Sequence, residues 1–141
     1  MKRKASAVWR GGLKDGKGTI SSESGVLEET QYSFSTRFEN GIGTNPEELI
    51  AAAHAGCFSM AFSAELGKAG ITPESIHTTA TITMDKTDTG WRITESHLDV
   101  AANIPGVDPA KFTAAANAAK AGCPISRLLK ANVTMDAKLA T

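Results

Sequence analysis

The chain has 141 residues, and its 15 basic and 15 acidic side chains give a formal net charge of zero. That length suits one domain with a single buried core, which we expect to comprise residues 1–141. A neutral chain lacks the strongly basic surface that is typical of nucleic-acid-binding domains. With 41% hydrophobic and 21% charged residues, the composition is that of a globular protein and not of a disordered one.

The hydropathy pattern predicts neither a membrane-spanning helix nor a signal peptide. The longest apolar run begins at Leu49 and is interrupted by His54, so no stretch of about 20 apolar residues is present and we expect no membrane-spanning helix. The basic start, Met1 to Lys4, is not followed by the apolar segment of a signal peptide. We therefore expect a cytoplasmic protein, in which two cysteines are more often free, catalytic or redox-active than joined permanently.

The first 40 residues are predicted to form strands. Residues 5–9 and 18–21 flank a turn over 11–17 that is rich in glycine, lysine and aspartate. Residues 31–38 alternate strictly between a largely aromatic face and a polar face. This alternation predicts a third strand.

The strongest structural signal is a helix start at Asn45. Asn45 suits the N-cap, Pro46 suits the first helical position, and Glu48 lies where a capping box places an acid. The helix is expected to run from Leu49 to about Lys68, and its middle, residues 51–62, is apolar or small almost all round. Such a helix is predicted to be buried on most sides and to run through the core.

The remainder of the chain completes an α+β pattern. Strands are expected over 77–84, 91–104 and 132–140, and two further helices over 110–120 and 125–130. The order is therefore strands, a central helix, strands, helices and a closing strand, which is typical of an α+β fold.

Two cysteines are the candidates for chemistry, and the sequence pattern alone leaves their roles open. Cys123 precedes Pro124 at a predicted helix start, where free backbone N–H groups favour a thiolate. Cys57 lies in mid-helix and needs a cation from elsewhere to be reactive, and a small buried side chain is the plainer interpretation. The two are far apart in sequence, so neither a CxxC motif nor a zinc-finger spacing is present.

His54 lies three residues before Cys57 and shares its helix face. A Cys–His dyad for acyl transfer is one interpretation. A buried histidine satisfied by a backbone or side-chain partner is the more common case. A metal site made of His54, the cysteines and His77 or His97 has no supporting spacing, so we expect neither a metal nor a cofactor.

Two motifs carry a resemblance to a known family. Residues 44–49 (TNPEEL) and 52–58 (AAHAGCF) resemble the signature helix of the OsmC/Ohr family, and residues 122–126 (GCPIS) resemble its second cysteine motif. The resemblance covers nearly the whole chain. It implies antiparallel sheets wrapped around long central helices, in an intertwined homodimer with two active sites at the interface.

The same resemblance implies a thiol-dependent peroxidase that reduces organic hydroperoxides to alcohols in oxidative and osmotic stress defence. In the family, the first cysteine attacks the peroxide and the second resolves the sulfenic acid. This makes Cys57 peroxidatic and Cys123 resolving, against the local argument that favours a Cys123 thiolate. The implied reductant is a dithiol, either dihydrolipoamide or a lipoylated protein.

The resemblance further implies an arginine that stabilises the thiolate and is held by a glutamate at the helix start. Glu47 matches that glutamate. The Ohr branch carries the arginine in an N-terminal turn, where Arg10 is the fallback in this chain. The OsmC branch carries it in the strand before the helix, where this chain has Arg37. We therefore favour Arg37 and the OsmC branch.

The spacing of Glu47 and Cys57 has a geometric consequence. Ten helical residues at ~1.5 Å rise separate them by about 15 Å, which no side chain closes. Glu47 is therefore expected to act on the Cys57 of the other subunit. Two antiparallel helices, one per chain, would then pack through small residues, namely Ala52, Ala53 and Gly56.

An apolar pocket for the organic part of the peroxide is also expected. Its candidate walls are Phe38, Ile42, Phe58, Met60 and Phe62, although core packing explains each of them more simply. Two other functions are compatible with this sequence. One is a peroxide-sensing or binding module without turnover, and the other is a ligand-binding or structural protein with inert cysteines. Steady-state peroxide consumption separates the enzyme from both.

Overall fold

The computed structural model describes residues 1–140, which contain six strands and four helices. The chain divides into two compact units, one of residues 1–49 and one that begins at Ile50. The elements in chain order are β1 (Ala5–Arg10), β2 (Lys17–Ser22), β3 (Thr30–Tyr32), α1 (Phe34–Phe38), α2 (Pro46–Lys68), β4 (Ser75–Thr87), β5 (Gly90–Asn103), α3 (Pro109–Gly122), α4 (Pro124–Leu128) and β6 (Asn132–Leu139).

The first unit contains a small antiparallel sheet in the order β1, β2, β3. The rings of Trp9 and Tyr32, whose centroids are 5.5 Å apart, both lie against Gly18 of β2. A Cβ at this position would meet both rings, so the close approach of the aromatic side chains requires glycine. The strands predicted over 5–9 and 18–21 are confirmed.

The strand predicted over 31–38 is wrong in its second half, where residues Phe34–Phe38 form α1. The hydroxyl of Ser33 accepts a hydrogen bond from the Thr36 N–H at 3.3 Å, and the Thr36 hydroxyl accepts one from the Ser33 N–H at 2.8 Å. These reciprocal bonds form a capping box that starts a helix despite the alternating pattern. Arg37 therefore lies in the last turn of a short helix and not on a strand.

Helix α2 begins where the sequence predicts, at Pro46. Asn45 Oδ1 accepts a hydrogen bond from the N–H of Glu48 at 2.8 Å, which caps the helix. Asn45 Nδ2 donates to the carbonyl oxygen of Thr36 at 2.9 Å. One side chain thus caps α2 and ties its first turn to α1.

The second unit contains a sheet in the order β4, β5, β6. Strands β4 and β5 are antiparallel, whereas β5 and β6 are parallel. The sheet is therefore mixed, and the expectation of antiparallel sheets is wrong at this edge. Helices α3 and α4 lie between β5 and β6 in the chain and provide the long crossover that a parallel pair requires.

The core of the second unit lies between this sheet and the helices. Helix α2 contributes a stripe of fully buried residues at every fourth position: His54, Phe58, Phe62 and Leu66. The ring of Phe62 packs against Phe58 and Phe112, with centroid distances of 5.7 and 5.5 Å. Alternate residues of β5 close the core from the sheet side, namely Ser96, Leu98, Val100 and Ala102.

The expectation that α2 is buried on most sides is wrong for the chain by itself. Its small residues Ala52, Ala53 and Gly56 are exposed, and Met60 is 78% exposed. By length and composition alone α2 could also cross a membrane, which the apolar run lengths did not predict. Core helices of soluble proteins pass the same test, so this is weak evidence for a span.

Candidate active site

The two cysteines lie side by side in the second unit. Their sulfur atoms are 2.7 Å apart, and both are free thiols. Cys123 is completely buried, whereas Cys57 is half-buried. Because a disulfide joins its sulfurs at about 2.05 Å, the pair is arranged to be linked with little movement of either segment.

Three elements bring these thiols together. Cys57 projects from the middle of α2, and Cys123 occupies the corner between α3 and α4. The N–H of Cys123 donates to the carbonyl of Ala119 in the last turn of α3, and the carbonyl of Cys123 accepts from the N–H of Arg127 in α4. Pro124 occupies the first helical position of α4, where its missing N–H leaves no helical bond unmade.

The surroundings of Cys57 within the second unit favour the neutral thiol. Burial raises the pKa of Cys57, and the adjacent thiol of Cys123 raises it further. The backbone N–H of Ile125 acts in the opposite direction by hydrogen bonding to the sulfur. A reactive thiolate at Cys57 therefore requires positive charge from elsewhere.

His54 is fully buried, and both of its ring nitrogens are hydrogen-bonded. Nδ1 lies 2.6 Å from Ser96 Oγ on β5, and Nε2 lies 2.7 Å from Ser126 Oγ on α4. Burial lowers the pKa of His54, so the ring is neutral at pH 7 and one serine donates while the other accepts. The interpretation as a satisfied buried histidine is confirmed. A dyad with Cys57 is not supported, because the serines occupy both ring nitrogens.

In the first unit, Arg37 and Glu47 form a forked ion pair. Nε of Arg37 lies 3.1 and 3.2 Å from the two carboxylate oxygens, and Nη2 lies 2.7 Å from Oε1. The guanidinium also lies 5.5 Å from the ring centroid of Phe38. The structure thus pairs Arg37, not Arg10, with Glu47. Their catalytic role stays a prediction.

A pocket of about 240 Å³ lies beside Arg37 in the first unit. Its walls are mostly aromatic or aliphatic, so it suits an apolar group next to a guanidinium. Besides Arg37, it is lined by Trp9, Leu13, Tyr32, Ser33, Phe34 and Phe38.

Only one of the five predicted pocket residues lines this cavity, namely Phe38. Phe58 and Phe62 are fully buried in the core, on the stripe of α2 that faces the sheet. Ile42 and Met60 are exposed in the chain by itself. For the two phenylalanines of α2, core packing is the correct interpretation.

Sequence reasoning missed the two serines that hold His54. Ser96 is one inward residue among many in the alternation of β5, and no local signal marks it. Ser126 carries a weak signal, because it lies three residues after Cys123, as Cys57 lies three after His54. The segment around Cys57 and the segment around Cys123 are therefore in contact through His54 and Ser126 as well as through the two cysteines.

A separate cluster lies on the sheet face that points away from the core. His97 Nε2 is 3.4 Å from Asp99 Oδ1 and 3.2 Å from Asp136 Oδ2, and Nδ1 is 2.5 Å from Thr134 Oγ1. Within residues 1–140, these three acid and histidine side chains are the group close enough to share a metal ion, and neither cysteine belongs to it. Exposed acidic groups of this kind are common without an ion, and the cluster by itself assigns no function.

Comparison with known proteins places this arrangement in a family. The model of OsmC-like proteins matches residues 39–138. The chain is 54% identical over 137 residues to Peroxiredoxin OsmC of Escherichia coli strain K12, covering 97% of this chain and 96% of that protein. It is 31% identical over 136 residues to the organic hydroperoxide resistance protein OhrB of Bacillus subtilis strain 168, covering 96% of each.

A solved structure agrees with these sequence matches. The crystal structure of OhrB from Bacillus subtilis superposes with a TM-score of 0.68 at 26% identity, over 96% of this chain and 97% of the crystallised one. The fold, the paired cysteine motifs and the relatives therefore agree. The chain belongs to the family of OsmC-like proteins.

Proposed function

We propose that this protein is a cysteine-based peroxidase that reduces organic hydroperoxides to alcohols in oxidative and osmotic stress defence. The observation that carries the proposal is the 2.7 Å separation of the Cys57 and Cys123 sulfurs. The names of two relatives support the reaction class, because one is a peroxiredoxin and the other an organic hydroperoxide resistance protein.

The chemistry divides between the two cysteines. The Cys57 thiolate attacks one peroxide oxygen, the O–O bond breaks, and the sulfur is oxidised to a sulfenic acid. The departing alkoxide takes a proton and becomes the alcohol. The Cys123 thiol then attacks the Cys57 sulfur, an S–S bond forms, and the hydroxyl leaves with the thiol proton as water.

Arg37 is our assignment for the cation that Cys57 requires. A guanidinium stabilises both the attacking thiolate and the negative charge that develops on the alkoxide. The forked pair with Glu47 fixes the plane and direction of that guanidinium.

A homodimer is part of the proposal, because Glu47 and Cys57 lie about 15 Å apart along one helix. In our assignment, the Arg37–Glu47 pair of one chain acts on the Cys57 of a second copy. An uncovered surface on α2 supports this arrangement, since it lets another helix approach closely, and its small exposed residues are Ala52, Ala53 and Gly56.

The pocket beside Arg37 supports an organic substrate in preference to hydrogen peroxide. Its aromatic walls fit an alkyl or aryl group, which would place the peroxide oxygens near the guanidinium. We further propose that dihydrolipoamide or a lipoylated protein returns the disulfide to two thiols by exchange, and that the protein acts in the cytoplasm.

Steady-state turnover tests the proposal. With cumene hydroperoxide and excess dihydrolipoamide, the protein is expected to consume many equivalents of peroxide per chain, and a Cys57→Ser variant none. Glutathione in place of dihydrolipoamide tests the reductant. Oxidation that stops after one equivalent under every reductant would instead indicate a sensor or binding module, and unreactive thiols would indicate a ligand-binding protein.

A further inference from the structure

We propose that His54 is a positioning residue for the cysteine pair, acting through Ser126. It touches neither sulfur within the hydrogen bonds of the structure, but it fixes the segment that carries Cys123. The inference deepens the proposed function, because the step that it affects is the condensation of Cys57 with Cys123.

Two parallel contacts join α2 to the start of α4. The first is between Cys57 and Cys123, whose sulfurs are 2.7 Å apart. The second is between His54 Nε2 and Ser126 Oγ, also at 2.7 Å. His54 and Cys57 are three residues apart on α2, and Cys123 and Ser126 are three residues apart on the other segment. A shift of α4 that breaks one contact therefore also strains the other.

Helix α4 has few other means of holding its position. It has five residues and none of them is buried, so neither intrinsic helix stability nor apolar burial fixes it. Cys123 occupies its N-cap but makes no side-chain capping bond. The bond to His54 and the fully buried Cys123 are therefore two of the contacts that hold this segment against α2.

His54 is itself held rigidly. Its ring is fully buried on the core-facing stripe of α2, and its second nitrogen is 2.6 Å from Ser96 of β5. Ser96 is also fully buried. The two hydrogen bonds, from Ser96 to His54 and from His54 to Ser126, thus link α4 to β5, the central strand of the sheet.

The same segment supplies more than the resolving thiol. The backbone N–H of Ile125, next to Ser126, hydrogen-bonds to the Cys57 sulfur and favours its thiolate. Loss of the His54–Ser126 bond is therefore expected to displace both the Cys123 thiol and this N–H from Cys57.

Ser126 is the position at which to test the inference, because its side chain is only part-buried and small changes there are tolerable for folding. Ser126→Ala removes the bond to His54, and Ser126→Thr keeps a hydroxyl. Ser59→Ala is the matched control, since Ser59 also links α2 to the sheet, through Thr78 at 2.8 Å, but does not contact α4.

The readout is the equilibrium of the cysteine pair with glutathione, which needs no peroxide. Glutathione disulfide oxidises the two thiols to a disulfide and is itself reduced to two thiols, so the ratio reports how well the pair is aligned. We expect Ser126→Ala to lower the equilibrium constant for disulfide formation by roughly tenfold or more, because misplacement by about 1 Å is costly for reacting groups. Ser126→Thr and Ser59→Ala should stay within about twofold of the parent.

A second readout measures the sulfenic acid at Cys57 after one equivalent of cumene hydroperoxide. Dimedone traps the sulfenic acid as a stable adduct. In Ser126→Ala and His54→Asn the trapped Cys57 adduct should rise relative to the disulfide. Equal glutathione equilibria in Ser126→Ala and the parent would overturn the positioning role. A shifted equilibrium in a protein that consumes no peroxide would overturn the peroxidase and leave the positioning role in place.

Discussion

Glu47 accepts hydrogen bonds from two nitrogens of Arg37, so the guanidinium at the end of α1 is held in a fixed direction by the first turn of α2. A fork of this kind constrains both position and plane, which a lysine in place of the arginine cannot reproduce. The ends of the two helices are joined independently by Asn45. The direction of the proposed catalytic cation is thus set locally, within the first unit.

Loss of the carboxylate at Glu47 should therefore impair the enzyme without unfolding it. We expect Glu47→Gln to lower kcat/KM for cumene hydroperoxide by about tenfold to a hundredfold, because a charge-assisted hydrogen bond contributes roughly 1.5–3 kcal/mol. Glu48→Gln is the control, since Glu48 is an exposed acid in the same helical turn. Equal losses in the two variants would indicate a general helix effect and contradict the assignment.

Substitutions at Asn45 distinguish the effects of its two hydrogen bonds, one to the Thr36 carbonyl and one from the Glu48 N–H. Asn45→Ala should lower the free energy of unfolding by about 1 kcal/mol, the usual cost of a lost N-cap, as measured by denaturant titration. Asn45→Asp keeps the cap on Glu48 but loses the donor to the Thr36 carbonyl, so its stability should lie nearer the parent. Both variants should show lower peroxidase activity, because α1 loses one of its links to α2 and keeps the Arg37–Glu47 pair. A fully active Asn45→Asp protein would contradict this account.

The reactivity of Cys57 should depend on its neighbour. Both burial and the Cys123 thiol raise the pKa of Cys57, so removal of that thiol leaves a smaller upward shift. We expect Cys123→Ala to move the pH midpoint for iodoacetamide alkylation of Cys57 to a lower value. Peptide mapping assigns the modified cysteine, and Cys57→Ser gives the background. An unchanged or higher midpoint would show that Cys123 does not suppress the thiolate.

The buried His54 predicts a loss of stability in acid. Its pKa in the folded chain is lowered by burial, so the unfolded chain binds the proton first as the pH falls below about 6.5. The stability due to neutral His54 is complete above that pH and is lost as the pH falls through the folded-state pKa. Urea titrations between pH 7.5 and pH 5 measure it.

Two histidine variants check the source of that acid sensitivity. His54→Asn should flatten the dependence of the unfolding free energy on pH, because the buried titrating group is gone. A substitution at the exposed His77 should leave the dependence in place. A slope that is the same in His54→Asn as in the parent would contradict the prediction.

The sequence predicts the framework of the fold well, because the signals are local. Asn45 and Pro46 mark the start of α2, and the strands of the second unit follow from alternation. The segment after Ser33 was predicted wrongly as a strand, because a capping box and a strand alternation occupy the same residues. The parallel pairing of β6 depends on how the crossover packs, which no residue pattern states.

The site was predictable only in part. The family resemblance named Cys57, Cys123, Arg37 and Glu47, and the structure brings the members of each pair together. The local argument from a helix start pointed to Cys123 as the more reactive thiol, yet that residue is fully buried. The link from Ser96 to His54 joins distant parts of the chain, so it follows from packing and not from sequence spacing.

Oxidation of Cys57 and Cys123 to a disulfide is tested most directly by the intact mass of the reduced protein after one equivalent of cumene hydroperoxide, beside an equal dose of hydrogen peroxide. Peptides are then mapped without reduction. We expect a loss of two hydrogens, a Cys57–Cys123 disulfide, and faster conversion with cumene hydroperoxide. Thiols that stay unmodified after prolonged exposure to either peroxide would contradict it.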